Sequence, residues 1–209
     1  MAAHLEEQQE LENFKYFWRK SGKWLFGALI AASVGYLGYT VYRNHQVSVN
    51  RDAAGVLAQM VEKAQQKADP KQINADLAVL QKDYPQTVSA AQATLMAAAT
   101  EFDAGRYDVA EGHLKWVLKN QPESMIQALA AQRLAVVLLQ QKKYDDALAA
   151  LNTGFEADFE PLILETKGDI YAAQGKTKEA AASYSAALDK LPKESAGREL
   201  LQMKLDAQK

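Results

Sequence analysis

Between Lys23 and Arg43 lie nineteen residues, WLFGALIAASVGYLGYTVY, without an Asp, Glu, Lys, Arg, Asn or Gln among them. At about 1.5 Å of rise per residue, a helix of this length reaches across roughly the hydrocarbon core of a bilayer. In lipid an isolated segment satisfies its backbone groups only as a helix, since a lone strand cannot close a barrel. Trp24–Tyr42 therefore reads as a single transmembrane helix. The alternative is a buried helix of a soluble core, but such helices rarely run so far without a charge.

The flanks orient the span. Lys15, Arg19, Lys20 and Lys23 precede it, whereas only Arg43 and Arg51 follow at comparable distance. The positive-inside rule counts Lys and Arg, so Glu6, Glu7, Glu10 and Glu12 do not offset the bias. The N-terminal tail is expected in the cytoplasm and the long C-terminal part across the membrane. A cleaved signal peptide needs a shorter apolar core and a small-x-small site; Tyr39–Asn44 offers none, so an uncleaved signal anchor is expected.

Ahead of the span, Leu11, Phe14, Phe17 and Trp18 fall at helical spacing beside Lys15, Arg19 and Lys20, the pattern of an interfacial amphipathic helix. It serves as an anchor or as a contact site for a cytoplasmic partner. Ser21-Gly22 is expected to turn the chain into the bilayer. Within the span, Gly27, Ala31 and Gly35 form a small-xxx-small stripe that would admit a second helix closely. This gives a tail over 1–23, a span over 24–42 and a helical domain over 43–209.

Composition narrows what that domain can do. The chain has no cysteine and a net charge of −2, which removes disulfides, thiolate catalysis and most zinc sites and gives no footprint for nucleic acid. Ala, Leu, Gln, Lys and Glu dominate after residue 50, a helical composition. Ala53, Val56, Leu57, Met60, Val61 and Ala64 keep a 3.6-residue period, and Asp69-Pro70 marks a new helix start, Asp capping and Pro in the first turn.

Then the sequence repeats. AGRYDVAEGHLKWVLKNQP (104–122), QKKYDDALAALNTGFEADF (141–159) and QGKTKEAAASYSAALDKLP (174–192) align without a gap. Ala110, Ala147 and Ala180 fall in register, then Leu114, Leu151 and Tyr184, then Leu118, Phe155 and Leu188. An apolar helix precedes each block, at 91–102, 128–139 and 162–171. Helix pairs with a period near 34 residues are the tetratricopeptide pattern. The fold expected is all-α, one transmembrane helix followed by a tetratricopeptide-like α-solenoid. Gly105 and Gly175 fit left-handed turns, and Pro122 and Pro192 end second helices. The 71–84 helix reads as a degenerate repeat with Ile73 at its small position. Ser195 with Glu199 resembles a cap for a closing helix that runs to Ala207.

Residues suited to chemistry are sparse. His4, His45 and His113 lie far apart, none with a second ligand one turn away, and no phosphate loop, G-x-S-x-G or H-E-x-x-H occurs. No catalytic, cofactor or metal residue is assigned. His113 reads as a solvated surface side chain, Asp145-Asp146 as helix-start charges, and Glu165 with Asp169 as a solvated groove edge. Binding is better supported. First helices of such arrays line a concave face that receives peptide. Its candidates are Gln92, Leu95, Ala99 and Phe102; Leu129, Gln132, Val136 and Leu139; and Leu162, Glu165 and Asp169. The competing reading is that part of this set is core, or is covered by the first helix pair.

FKYFWRKSGKWL leading into the span, Asn44-His45-Gln46 after it, AQRLAVVLLQ (131–140) and the terminal LLQMKLD together resemble the YfgM family, ancillary subunits of the bacterial Sec translocon. That resemblance implies an inner-membrane protein with a periplasmic repeat domain and no catalytic residues. It also implies three partners: the Sec translocon, a membrane-anchored periplasmic chaperone of the PpiD type, and emerging secreted clients. The alternative is an envelope scaffold, or a negative regulator of a cytoplasmic response factor acting through the tail.

Overall fold

The computed structural model describes residues 2–152, 154 and 156–208, with side chains from Glu10 onward. Phe155 and the side chain of His4, both weighed above, lie outside the described residues. The chain divides into two compact units, Met1–Val49 and Asn50–Lys209. Described secondary structure is helical throughout.

In the first unit, helix α1 (Ala2–Phe17) passes through a π-helical turn (Trp18–Gly22) into α2 (Lys23–Gln65). The turn expected at Ser21-Gly22 does not occur. Instead the backbone widens by a π turn and stays hydrogen-bonded, and the missing side chain of Gly22 gives the Trp18 ring room. A Cβ there would stand 2.8 Å from that ring. Trp18 stacks on Phe14, with ring centroids 6.3 Å apart, and meets Phe26 at 5.8 Å. Among the described residues one helical run, Glu10–Gln65, is long and apolar enough to cross a membrane. Over 24–42 its Ser and Thr hydroxyls are satisfied within the helix: Ser33 donates to the Leu29 carbonyl and Thr40 to that of Tyr36, both at 2.8 Å.

The second unit is a series of helix pairs. The last turns of α2 pair with α3 (Pro70–Asp83), α4 (Val88–Asp103) with α5 (Tyr107–Asn120), α6 (Ser124–Gln140) with α7 (Tyr144–Ala150), and α8 (Glu160–Ala173) with α9 (Thr177–Lys190); α10 (Gly197–Asp206) follows. Asp69 caps α3 as its sequence predicts, its carboxylate accepting from the Lys71 N–H at 2.8 Å with Pro70 in the first turn.

One turn geometry joins the two helices of every pair. In it a residue at positive φ donates its N–H three residues back, and the next residue donates five back. Gly105 and Gly175 (both φ 73) occupy this position, and so do Lys67 (φ 54) and Lys142 (φ 59). The paired bonds are Gly105→Phe102 with Arg106→Glu101, Lys142→Leu139 with Lys143→Leu138, Gly175→Ala172 with Lys176→Tyr171, and Lys67→Ala64 with Ala68→Lys63. The degenerate pair thus belongs to the series by its turn. Ile73, at its expected small position, is half-buried, and Ala53 on the facing helix is fully buried in that cluster, as are Ala90 and Ala93 of α4.

Ala110, Ala147 and Ala180 are each fully buried, as their register requires. Leu95, Leu114, Leu134, Leu138, Leu151 and Ile170 fill the main core, and Trp116 packs on both that core and the α2–α3–α4 cluster. Two details depart from the sequence reading. Helix α7 ends at Ala150, short of the gapless alignment through Phe155, because Asn152 and Gly154 are poor helix formers. Helix α10 starts at Gly197 with Ala196 at its cap position, so Ser195 makes no side-chain cap. The helix is fixed instead by the Arg198 guanidinium, which donates to the Leu188 and Leu191 carbonyls at 2.6 and 2.8 Å.

Candidate functional site

Helices α4 and α6 are the first members of consecutive pairs, and between them lies an apolar cavity of about 220 Å³. Ala98, Ala99 and Phe102 of α4 face Gln132, Val136 and Val137 of α6 across it, with Leu114 of α5 beneath. Phe102 is held edge-on by Tyr107, ring centroids 5.4 Å apart, which fixes one wall. An apolar cavity of about 150 Å³ already admits benzene, so this one has room for a bulky side chain. Asp103 and Arg133 stand at the lining as well, and neither has an ion-pair partner among the described residues. A charge of each sign beside an apolar pocket suits a polypeptide better than a small apolar molecule.

The α8 portion of the same face is arranged differently. Glu165 and Asp169 keep partial exposure but are ion-paired rather than free: the Lys204 ammonium of α10 donates to Glu165 at 2.7 Å and to both oxygens of Asp169 at 2.9 Å. The Tyr184 hydroxyl donates to Asp169 at 2.8 Å, and its ring centroid lies 5.9 Å from the Lys204 nitrogen. Burial lowers the Lys204 pKa, but the two carboxylates outweigh it and the net shift is upward. Burial, with Asp169 alongside, pushes the Tyr184 hydroxyl far up.

Comparison with known proteins fits this architecture. Residues 15–209 match the family model of the tetratricopeptide repeat-like domain. An ancillary SecYEG translocon subunit of Neisseria gonorrhoeae is 71% identical over 209 residues, covering all of both chains. Subunits of the same name are 27% identical in Haemophilus influenzae, over 90% of this chain and 91% of theirs, and 24% in Escherichia coli, over 99% and 98%. The chain belongs to the YfgM family.

Within this YfgM-family chain, the stretches that carried the resemblance have structural roles. AQRLAVVLLQ supplies the α6 wall of the cavity through Gln132, Val136 and Val137, and LLQMKLD supplies Lys204. The other expected face residues divide by environment. Gln92 and Ala99 are exposed, and Leu162 is 36% exposed. Leu129 and Leu139 are half-buried against the core, and Leu95, 8% exposed, is part of it. Among the described residues the cavity lining comes from α4, α5 and α6, with no contribution from the first helix pair.

Asp103 and Arg133 were absent from the sequence-derived set. Each follows an expected residue (Phe102, Gln132) by one position, a rotation of about 100° that still reaches the face. In the first unit Gly27, Ala31 and Gly35 are exposed, and a Cβ on either glycine would meet nothing within 4 Å. His113 is half-buried rather than solvated, and burial holds its pKa below the usual value despite nearby Glu101. Among the described residues no group of three or more His, Cys, Asp or Glu is placed to hold a metal ion.

Proposed function

We propose that this protein is a membrane-tethered binding subunit at the Sec translocon, whose repeat domain engages polypeptides through the α4–α6 cavity. The observation that carries the binding half is the apolar pocket of Phe102, Ala99 and Val136, with Arg133 and Asp103 beside it and without an ion-pair partner among the described residues. An apolar anchor ringed by a few polar groups is how polypeptide-binding surfaces concentrate their energy. The translocon half rests on the names of the full-length relatives. The apolar run of α2 supplies the tether, and the excess of Lys and Arg before it favours a cytoplasmic tail and a periplasmic repeat domain. Occupants of the pocket, on this reading, are a membrane-anchored periplasmic chaperone of the PpiD type and secreted chains leaving the translocon. Such a subunit acts by proximity and shape, as a binding protein rather than an enzyme.

The test uses cells carrying the full-length chain with a photocrosslinking residue at Gln132. Capture of the translocon-associated chaperone or a secreted precursor, lost when Ala99→Trp fills the pocket, is the expected result. Because Ala99 is exposed, that substitution leaves the fold intact. Undiminished capture in Ala99→Trp would refute the pocket as the binding site.

A further inference from the structure

Helix α10 closes the array, yet it is built like the first helix of another pair. Its Leu201, 1% exposed, enters the cluster of Ala180, Tyr184, Ala187 and Leu188, with Leu205 beside it. The opposite side is not polar as a pure cap would be. Leu200 is 57% and Met203 64% exposed.

The direction of that exposed pair follows from Lys204. On a helix, residues three and four apart share a face, so Leu200 lies beside both Met203 and Lys204. Lys204 reaches Glu165 and Asp169, which with Leu162 are the face residues of α8. Leu200 and Met203 therefore continue the first-helix face beyond α8, with Glu199, four residues before Met203, along their edge. Resting on the binding role given above to that face, we infer that α10 forms the far end of the polypeptide-binding surface. Its occupant is an amphipathic segment of a partner protein, with large aliphatic side chains on Leu200 and Met203 and lysine or arginine at their edge.

Charge decides the second half of that description. Glu165 and Asp169 share the one ammonium of Lys204, and Glu199 adds a further carboxylate on α10, so this end of the face keeps an excess of negative charge. The nearest other cation on α10, Arg198, is committed to the Leu188 and Leu191 carbonyls at the end of α9. A cationic edge on the occupant is attracted, whereas an acidic one is repelled. Methionine and leucine together adapt to varied aliphatic partners, which suits recognition by pattern rather than by one sequence.

The experiment titrates the full-length protein, held in phosphatidylcholine nanodiscs, against a fluorescent amphipathic helix of leucine and lysine, and against its leucine–glutamate counterpart. Wild type should bind the first and discriminate against the second. Leu200→Ser with Met203→Ser should weaken binding roughly tenfold, and Glu199→Lys should weaken it and reduce its salt dependence. Both residues of the pair are exposed, so the helical signal and thermal midpoint should hold. Ala99→Trp is measured in parallel. Binding that falls in Ala99→Trp but not in the α10 variants overturns this inference and leaves the pocket reading standing. Binding unmoved in every variant overturns both, as does no binding by wild type. Equal binding of the leucine–glutamate peptide removes the charge argument and with it the occupant named here.

Discussion

Gly168 of α8 lies flat against the ring of Tyr184 in α9, so close that a Cβ on the glycine would overlap the ring carbons. The preceding pairs have Ala98 and Ala135 at the same point of the first helix, with Leu114 and Leu151 in the register of Tyr184. A larger side chain on the second helix thus goes with a smaller one on the first. Gly168→Ala should therefore destabilise the domain by about 1–3 kcal/mol through overpacking. Combining it with Tyr184→Leu should restore part of that loss, because the two sites are coupled. Chemical denaturation of the four proteins in the cycle measures it; additive effects would contradict the contact.

The shared turn between paired helices makes a second prediction with opposite signs at equivalent positions. At Lys142 (φ 59) a side chain sits in the left-handed region where Gly105 and Gly175 have none. A non-glycine residue there costs on the order of 1 kcal/mol. Lys142→Gly should leave stability unchanged or raise it by up to about 1 kcal/mol, whereas Gly105→Ala should lower it by a similar amount. Thermal unfolding midpoints moving the other way would show that the turn is not under this strain.

How much of this was legible in the sequence depended on whether one helix or two carried the signal. The alanine register at 110, 147 and 180 exposed the repeats because a fully buried small residue is required at each of those points. Helix α7's early stop was hidden, since an alignment of apolar positions gives no weight to Asn152 and Gly154. The face residues Phe102, Gln132 and Val136 came from register alone, but their neighbours Asp103 and Arg133 did not, because helical rotation places them at the margin of the face. Least legible was the fate of Glu165 and Asp169. Nothing local to α8 reveals a lysine arriving from a helix more than thirty residues on.

Acid should weaken the domain in two separable steps. His113 titrates below its ordinary 6.5 because burial disfavours the imidazolium, with Glu101 opposing. The unfolded chain then takes up this proton first, so stability falls as pH drops through 6.5 and the loss is complete below the folded value. Glu111 is held below its ordinary 4.5 by the Lys115 hydrogen bond at 2.7 Å, against desolvation, with Lys143 adding at 3.3 Å. Its contribution is present above 4.5 and disappears as pH falls through the lowered value. His113→Gln should flatten the first limb and Glu111→Gln the second in pH-dependent denaturation; an unchanged profile in either variant would remove that assignment.

Alkaline conditions act at the other end of the array, through Lys204. Its ammonium is stabilised by Asp169 and Glu165 beyond the cost of burial, so its folded pKa lies above 10.5. The stabilisation is full below 10.5 and is lost as pH rises through the folded value. Tyr184 titrates in the same sense: burial and Asp169 keep its hydroxyl protonated when an unfolded tyrosine would ionise, so unfolding is favoured from about pH 10 upward. Lys204→Met separates the two contributions. It leaves Glu165 and Asp169 facing each other without the cation and should cost about 1–2 kcal/mol at neutral pH, given the partial exposure of the site. The remaining alkaline slope then belongs to Tyr184 and should vanish in Lys204→Met with Tyr184→Phe. Hydrogen exchange localises the effect: amides of α10 should exchange faster in Lys204→Met while those of α4 to α6 keep their protection. Uniform exchange across the domain would mean that Lys204 holds the whole array rather than its last helix.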